Sequence, residues 1–182
     1  MDPTAEARFT QIYETHYVAV LAYCVRRVNR ADAEEVTNDV FSVLWKRMDS
    51  FDTESPLPWL YRVAYGSIGN RRRTLRRRAA LRAKLSGLRD IVDSPDVIVV
   101  QQEQDRETIA ALHRLRPADQ EVLTLSIWED LSAREIGLVV GCSTSAAEQR
   151  IHRAKNRLAR ELSSVAHRTM PSHTSLEGGG RP

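Results

Sequence analysis

Apolar positions recur at helical spacing along most of the chain. Phe9, Ile12, Tyr13 and Tyr17 form one set, Val20, Leu21, Val25 and Val28 a second, and Val36, Val40, Val43 and Leu44 a third. Intervals of three and four put each set on one helix face. Asp32-Ala33-Glu34-Glu35 has the D-x-x-E form of a capping box, so a third helix is expected to start there. Asp49, Ser50, Asp52, Ser55 and two prolines end it, and a fourth helix follows Pro58. That helix begins Trp59-Leu60-Tyr61-Arg62-Val63-Ala64 and runs into Asn70-Arg71-Arg72-Arg73, where the apolar pattern fades. The first half therefore reads as a four-helix bundle.

From Ser86 to Asp96 the composition shifts to Gly87, Asp90, Asp93, Ser94 and Pro95, with no amphipathic face. The expected organisation is a helical domain over 5–84, a linker over 85–98, a second helical domain over 99–162 and a disordered tail over 163–182. Val97-Ile98-Val99-Val100 is the only β-branched run, and it leads into a polar helical stretch. The fold class is all-α.

Three helices follow within the second block: Asp119 to Trp128, Ala133 to Val140, and about Ala146 to Leu162. Ser132-Ala133-Arg134-Glu135 is a capping box, and Gly141 can take the left-handed conformation that ends a helix. Ser145-Ala146-Ala147-Glu148 reads as another capping box. Two capped helices around a short Gly-containing turn match a helix-turn-helix, whose second helix enters the major groove. Ala147, Ile151, Ala154 and Leu158 are spaced four, three and four, a buried stripe that leaves the basic residues outside.

Charge sharpens this picture by position rather than by sum. Lys plus Arg total 27 against 24 for Asp plus Glu, a net +3 over 182 residues. Yet Arg71 to Lys84 holds eight basic residues and no acid, and Gln149 to Arg160 holds five, again with no acid. Phosphates are the natural counter-charge for such tracts. On the third helix Glu35, Asn38, Asp39, Ser42 and Lys46 make a polar stripe opposite Val36, Val40 and Val43. A stripe of this kind is either a solvated face or a docking face.

Other chemistries find little support. Cys24 and Cys142 lie far apart without metal-ligand or disulfide spacing, so no metal and no cofactor is expected, and a reducing cytoplasm fits best. The start, Met1-Asp2-Pro3-Thr4-Ala5-Glu6, lacks the pattern of an export signal, and no apolar run approaches membrane-spanning length, so direct membrane insertion is not expected. A Gly-rich phosphate loop and a nucleophile with its base are both missing, which argues against an enzyme and a small-molecule substrate.

Several segments taken together resemble the extracytoplasmic-function group of bacterial sigma-70 family sigma factors. They are Asp32 to Phe41, Leu44-Trp45-Lys46-Arg47 and Pro58 to Ala64 in the first half, and Leu115 to Leu123, Leu131 to Gly137 and Arg150 to Leu158 in the second. The resemblance covers about 5–162, in the family's order. It implies that the first domain docks on a coiled coil of the RNA polymerase largest subunit and opens the promoter at its −10 element, while the second reads the −35 element. Core RNA polymerase and promoter DNA are then the expected partners, with an inhibitory anti-sigma factor as a third.

With that division of labour, Glu35, Asn38, Asp39, Ser42 and Lys46 become the polymerase-docking residues. Phe51, Tyr65, Asn70, Arg71, Arg72 and Arg73 become the −10 contacts, although Phe51 could equally pack the bundle as Trp59 does. Where the family commonly has an Asn two residues after the Ala of Trp-Leu-Tyr-Arg-Val-Ala, this chain has Gly66. In the second domain, base readout falls to Ser143, Thr144, Ser145, Gln149, Arg150 and Arg153, and phosphate contact to Lys155 and Arg157. Glu148, where the family often has an Arg, either closes the cap on Ser145 or accepts from a cytosine amine. The alternative for the whole chain is a stand-alone dimeric helix-turn-helix regulator that binds a palindrome unaided.

Overall fold

The computed structural model describes residues 3–51, 55–86 and 103–169. Seven α-helices and one 3-10 turn account for them: α1 (Pro3–Val25), α2 (Arg30–Arg47), the 3-10 turn (Met48–Ser50), α3 (Pro56–Ser86), α4 (Glu103–His113), α5 (Pro117–Ile127), α6 (Ala133–Val140) and α7 (Thr144–Thr169). No strand occurs among the described residues, as the apolar spacing requires.

The first two expected helices are one. Nothing between Tyr17 and Val20 can end a helix, so α1 continues to Val25, and the first domain has three α-helices and the 3-10 turn rather than four helices. Its second helix also starts earlier than Asp32. The Asn29 side chain accepts from the Asp32 backbone N–H at 2.9 Å and donates to the Asp32 carboxylate at 3.0 Å. The reciprocal cap is thus Asn29 with Asp32, three residues before the D-x-x-E box, because Asn29 already has the extended backbone a cap needs. Val20, Tyr23, Cys24, Val36, Val40, Leu44, Leu60 and Ala64 form the core between α1, α2 and α3.

In the second domain, Val122, Leu123 and Leu125 of α5, Ile136 and Val139 of α6, and Ala147 and Ala154 of α7 are buried together. The Ser132 cap is reciprocal as expected: its Oγ accepts from the Glu135 N–H, and the Glu135 carboxylate accepts from the Ser132 N–H at 2.8 Å. Gly141 ends α6 at φ 73°. The expected box on Ser145 does not form. Ser143, one residue before α7, accepts from the Ala146 N–H at 3.2 Å, so the helix is capped two residues earlier and Glu148 closes nothing. At its far end α7 continues to Thr169, so 163–169 are helical rather than part of a tail. Nearly all of the linker, and 170–182 of the tail, lie outside the described residues.

Candidate nucleic-acid and polymerase interfaces

The α2 stripe is laid out as its spacing requires. Glu35, Asn38, Asp39, Ser42 and Lys46 are all exposed, while Val36 and Val40 are buried behind them. Asn38, Ser42 and Lys46 border a groove of about 500 Å3 whose other wall is aromatic, built by Phe9, Tyr13 and Trp45. Trp45 meets Phe9 edge to face with ring centroids 4.8 Å apart and remains 37% exposed, enough to present an apolar anchor beside the polar stripe. Glu35 differs from its neighbours on the stripe: it pairs with Arg71 of α3, which also reaches Asp32 at 3.3 Å.

That pair divides the residues expected at the −10 element. Arg71 is committed to α2, and its hydrogen bond to Glu35 raises its pKa despite partial burial. Phe51 is buried, edge to face with Trp59 at 4.9 Å and capped by the Arg8 guanidinium 5.7 Å from its ring. Of its two readings, bundle packing is the one this geometry carries, because the Phe51 ring sits on Trp59 at the start of α3. Tyr65, Asn70 and Arg73 are exposed on α3, and Asn70 accepts from Arg73. Arg72 is half-buried and donates to the Arg27 carbonyl oxygen at 3.0 Å. Gly66 meets no atom within 4 Å where a Cβ would stand, so space does not explain why this position lacks a side chain.

The helix-turn-helix depends on one close approach. A Cβ on Gly137 would lie 2.8 Å from the Cys142 carbonyl oxygen, so only glycine lets α6 pass the turn that starts α7. The turn then presents Ser143, Thr144, Ser145, Gln149, Arg150, Arg153 and Lys155 on the exposed side. Glu148 joins this surface, bordering an open depression with Gln149, His152 and Arg153. Arg157 pairs with Asp119, a residue only 8% exposed, while its own side chain stays 38% exposed. It serves as a strut between α7 and α5, since a buried carboxylate needs a cation.

One cluster lies outside every expected site. Arg27, near the end of α1, donates through Nε to both Glu121 oxygens of α5 at 3.2 and 3.1 Å, and its Nη1 lies 3.6 Å from Glu129. Arg26 reaches Glu129 at 2.5 Å, and the Tyr23 and Tyr61 hydroxyls donate to Glu121 at 2.9 Å and Glu129 at 3.0 Å. Burial opposes the Arg27 charge, but Tyr23, Glu121 and Glu129 outweigh it and hold its pKa above the usual arginine range. The period offered a signal: Val20, Tyr23 or Cys24, and Arg27 continue one stripe, which places a guanidinium where an apolar residue belongs.

A helical domain with an exposed polar helix face, followed in the same chain by a basic helix-turn-helix, defines the class as two-domain helix-turn-helix proteins. The chain matches Sigma-70 region 2 over residues 12–78 and Sigma-70 region 4 over residues 105–158. It is 30% identical over 167 residues to the RNA polymerase sigma factor NccH of Alcaligenes xylosoxydans xylosoxydans, covering 86% of this chain and 87% of that one. The RNA polymerase sigma factor CnrH of Cupriavidus metallidurans is 28% identical over 166 residues, covering 83% of this chain and 84% of that one. The structure of CnrH in complex with the cytosolic domain of CnrY matches with a TM-score of 0.58, over 87% of this chain and 90% of that chain at 26% identity. The protein belongs to the sigma-70 family of RNA polymerase sigma factors, in the extracytoplasmic-function group, and acts in transcription initiation. The stand-alone dimeric regulator is not favoured.

Proposed function

We propose that this chain delivers core RNA polymerase to its promoters through three separate surfaces. The exposed α2 face of Asn38, Asp39, Ser42 and Lys46, with Glu35 at its edge, docks on a coiled coil of the polymerase largest subunit. Tyr65, Asn70, Arg72 and Arg73 on α3 engage the −10 element, where a basic track beside an exposed aromatic suits bases lifted out of the stack. Ser143, Thr144, Ser145, Gln149, Arg150 and Arg153 at the start of α7 read the −35 element, with Lys155 on phosphate. The chain supplies recognition and DNA opening and leaves catalysis to the polymerase.

The observation that carries this reading is the pairing, in one chain, of an exposed polar helix face of mixed charge and a recognition helix whose exposed side is mainly basic. An inhibitory anti-sigma partner follows from the family, and CnrH has been solved with the cytosolic domain of CnrY bound to it. No helix among the described residues is long and apolar enough to cross a membrane; work beside polymerase and DNA supports a cytoplasmic location. Mapping transcription start sites after overexpression, then reconstituting initiation with core polymerase on the shared upstream sequences, tests the proposal. Tight operator binding by a dimer of the chain without polymerase, and no initiation with it, would overturn it.

A further inference from the structure

The first domain's Arg26, Arg27, Tyr23 and Tyr61 hold two carboxylates of the second domain, Glu121 and Glu129, in a buried cluster. The Arg27 side chain is 7% exposed, that of Glu121 13% and that of Glu129 3%. A second tie runs from α3 to α6, where Arg62 donates to the Leu138 carbonyl oxygen at 2.7 Å. Beside the Arg27–Glu121 contact is a cavity of about 380 Å3. Tyr65, Arg72, Arg73 and Arg76 of α3 line one side of it, and Pro117 and Glu121 at the start of α5 the other.

The second domain thus sits over part of the basic α3 track, and Glu121 supplies there the negative charge that a phosphate would otherwise bring. The α7 surface is left open by the same arrangement. We propose that the Glu121 and Glu129 contacts form an intramolecular latch that holds the chain closed and covers the −10 track until polymerase and promoter displace it. This rests on the assignment of the α3 track to −10 DNA.

Charged contacts suit a latch better than an apolar seam would. Buried ion pairs return little net stability against their desolvation, so the closed state is poised rather than locked. Leu138, the large apolar residue of α6 beside the Arg62 tie, remains 52% exposed. Removing the carboxylate charge penalises only the closed state, because Arg26 and Arg27 are solvated once the domains part. Opening then raises apparent affinity by the inverse of the competent fraction, roughly tenfold when that fraction rises from about a tenth to near unity.

The test uses the full chain with Glu121→Gln and Glu129→Gln combined, read by small-angle scattering and by fluorescence anisotropy with labelled oligo(dT). The expected result is a larger radius of gyration and roughly tenfold tighter oligo(dT) binding, with Arg73→Ala in the same background abolishing the gain. A folded double variant that keeps the wild-type radius, or that expands without binding more tightly, overturns the latch. Should the double variant lose helicity, Arg26→Ala takes its place, since that partly exposed side chain reaches Glu129 at the edge of the cluster. An unchanged radius in Arg26→Ala is then the overturning result. Transcription assays with core polymerase separate the two proposals: an opened variant that binds oligo(dT) but never directs initiation sinks the sigma reading and leaves the latch standing.

Discussion

Gly137 passes so near the Cys142 carbonyl oxygen that a Cβ on it would lie only 2.8 Å away. Elsewhere in a helix, replacing glycine by alanine gains about 1 kcal/mol. Here the clash is with backbone, which cannot rotate away, and forced shifts in packed structure cost about 1–3 kcal/mol. Gly137→Ala should therefore lower the stability of the second domain. Urea unfolding followed by circular dichroism reads the sign directly, and a stabilised variant would show that the turn can relax.

On α7, Arg157 and Lys155 are two residues apart and should behave in opposite ways. Arg157 supports Asp119, whereas Lys155 is exposed with no hydrogen bond or ion pair among the described residues. Arg157→Ala is expected to destabilise the domain and leave sequence preference unchanged. Lys155→Ala should instead preserve stability, weaken all −35 sequences about equally, and reduce the salt slope of binding by about 1. Titrations of holoenzyme on promoter duplex at several salt concentrations distinguish these outcomes.

Glu148 offers a test of base readout. Once Ser143 takes the cap, the carboxylate is exposed beside Gln149 and Arg153 without a capping duty. An acid in that position repels phosphate and accepts from a cytosine amine. Glu148→Gln should relax preference at one −35 base pair by about 1–3 kcal/mol while affinity for other sequences holds or rises. Selection of binding sites from a randomised −35 segment measures this, and an unaltered preference would remove Glu148 from the reading surface.

These contrasts mark what the sequence could and could not disclose. Helix type followed from spacing throughout, and the ends of α6 were legible because Ser132 and Gly141 act locally. The start of α7 was misplaced because Ser143 and Ser145 are both competent caps, and only the turn geometry chooses between them. Arg71, Arg72, Arg73 and Arg157 looked alike as basic residues. Their separation into struts and free contacts depends on Glu35, the Arg27 carbonyl and Asp119, partners brought close only by folding. The Arg27–Glu121 contact joins residues 94 apart, beyond the reach of any periodicity.

The docking face yields a sharper experiment than its composition suggested. Glu35 is engaged by Arg71, so reversing its charge would disturb the α2–α3 contact as well as any partner. Asp39 is exposed, and its side chain makes no hydrogen bond or ion pair with the described residues, acting on Arg71 only as a more distant charge. Asp39→Lys should thus weaken binding to core polymerase, on the order of tenfold for a reversed charge in a complementary interface, with a smaller change in the unfolding midpoint than the same reversal at Glu35. Wild-type affinity in this variant would exclude the face from docking.

Alkaline pH should loosen the first domain through groups kept neutral by burial. Desolvation pushes the Cys24 thiol from 9.0 up to about 11, opposed by its hydrogen bond with Thr37 and by Arg27. Burial likewise raises Tyr61 and Tyr23, assisted by the Glu129 and Glu121 carboxylates they face. Below the unfolded pKa the folded and unfolded thiol both hold the proton, and the thiol makes no difference to stability. Above it the unfolded chain releases a proton that the folded chain retains, so stability falls as pH rises from 9.0 towards about 11. The shift bounds the Cys24 share at about 3 kcal/mol, and the tyrosines extend the loss to higher pH. Cys24→Ala should flatten the first part of this decline in urea midpoints, and a wild-type midpoint constant across the window would contradict the burial of the thiol.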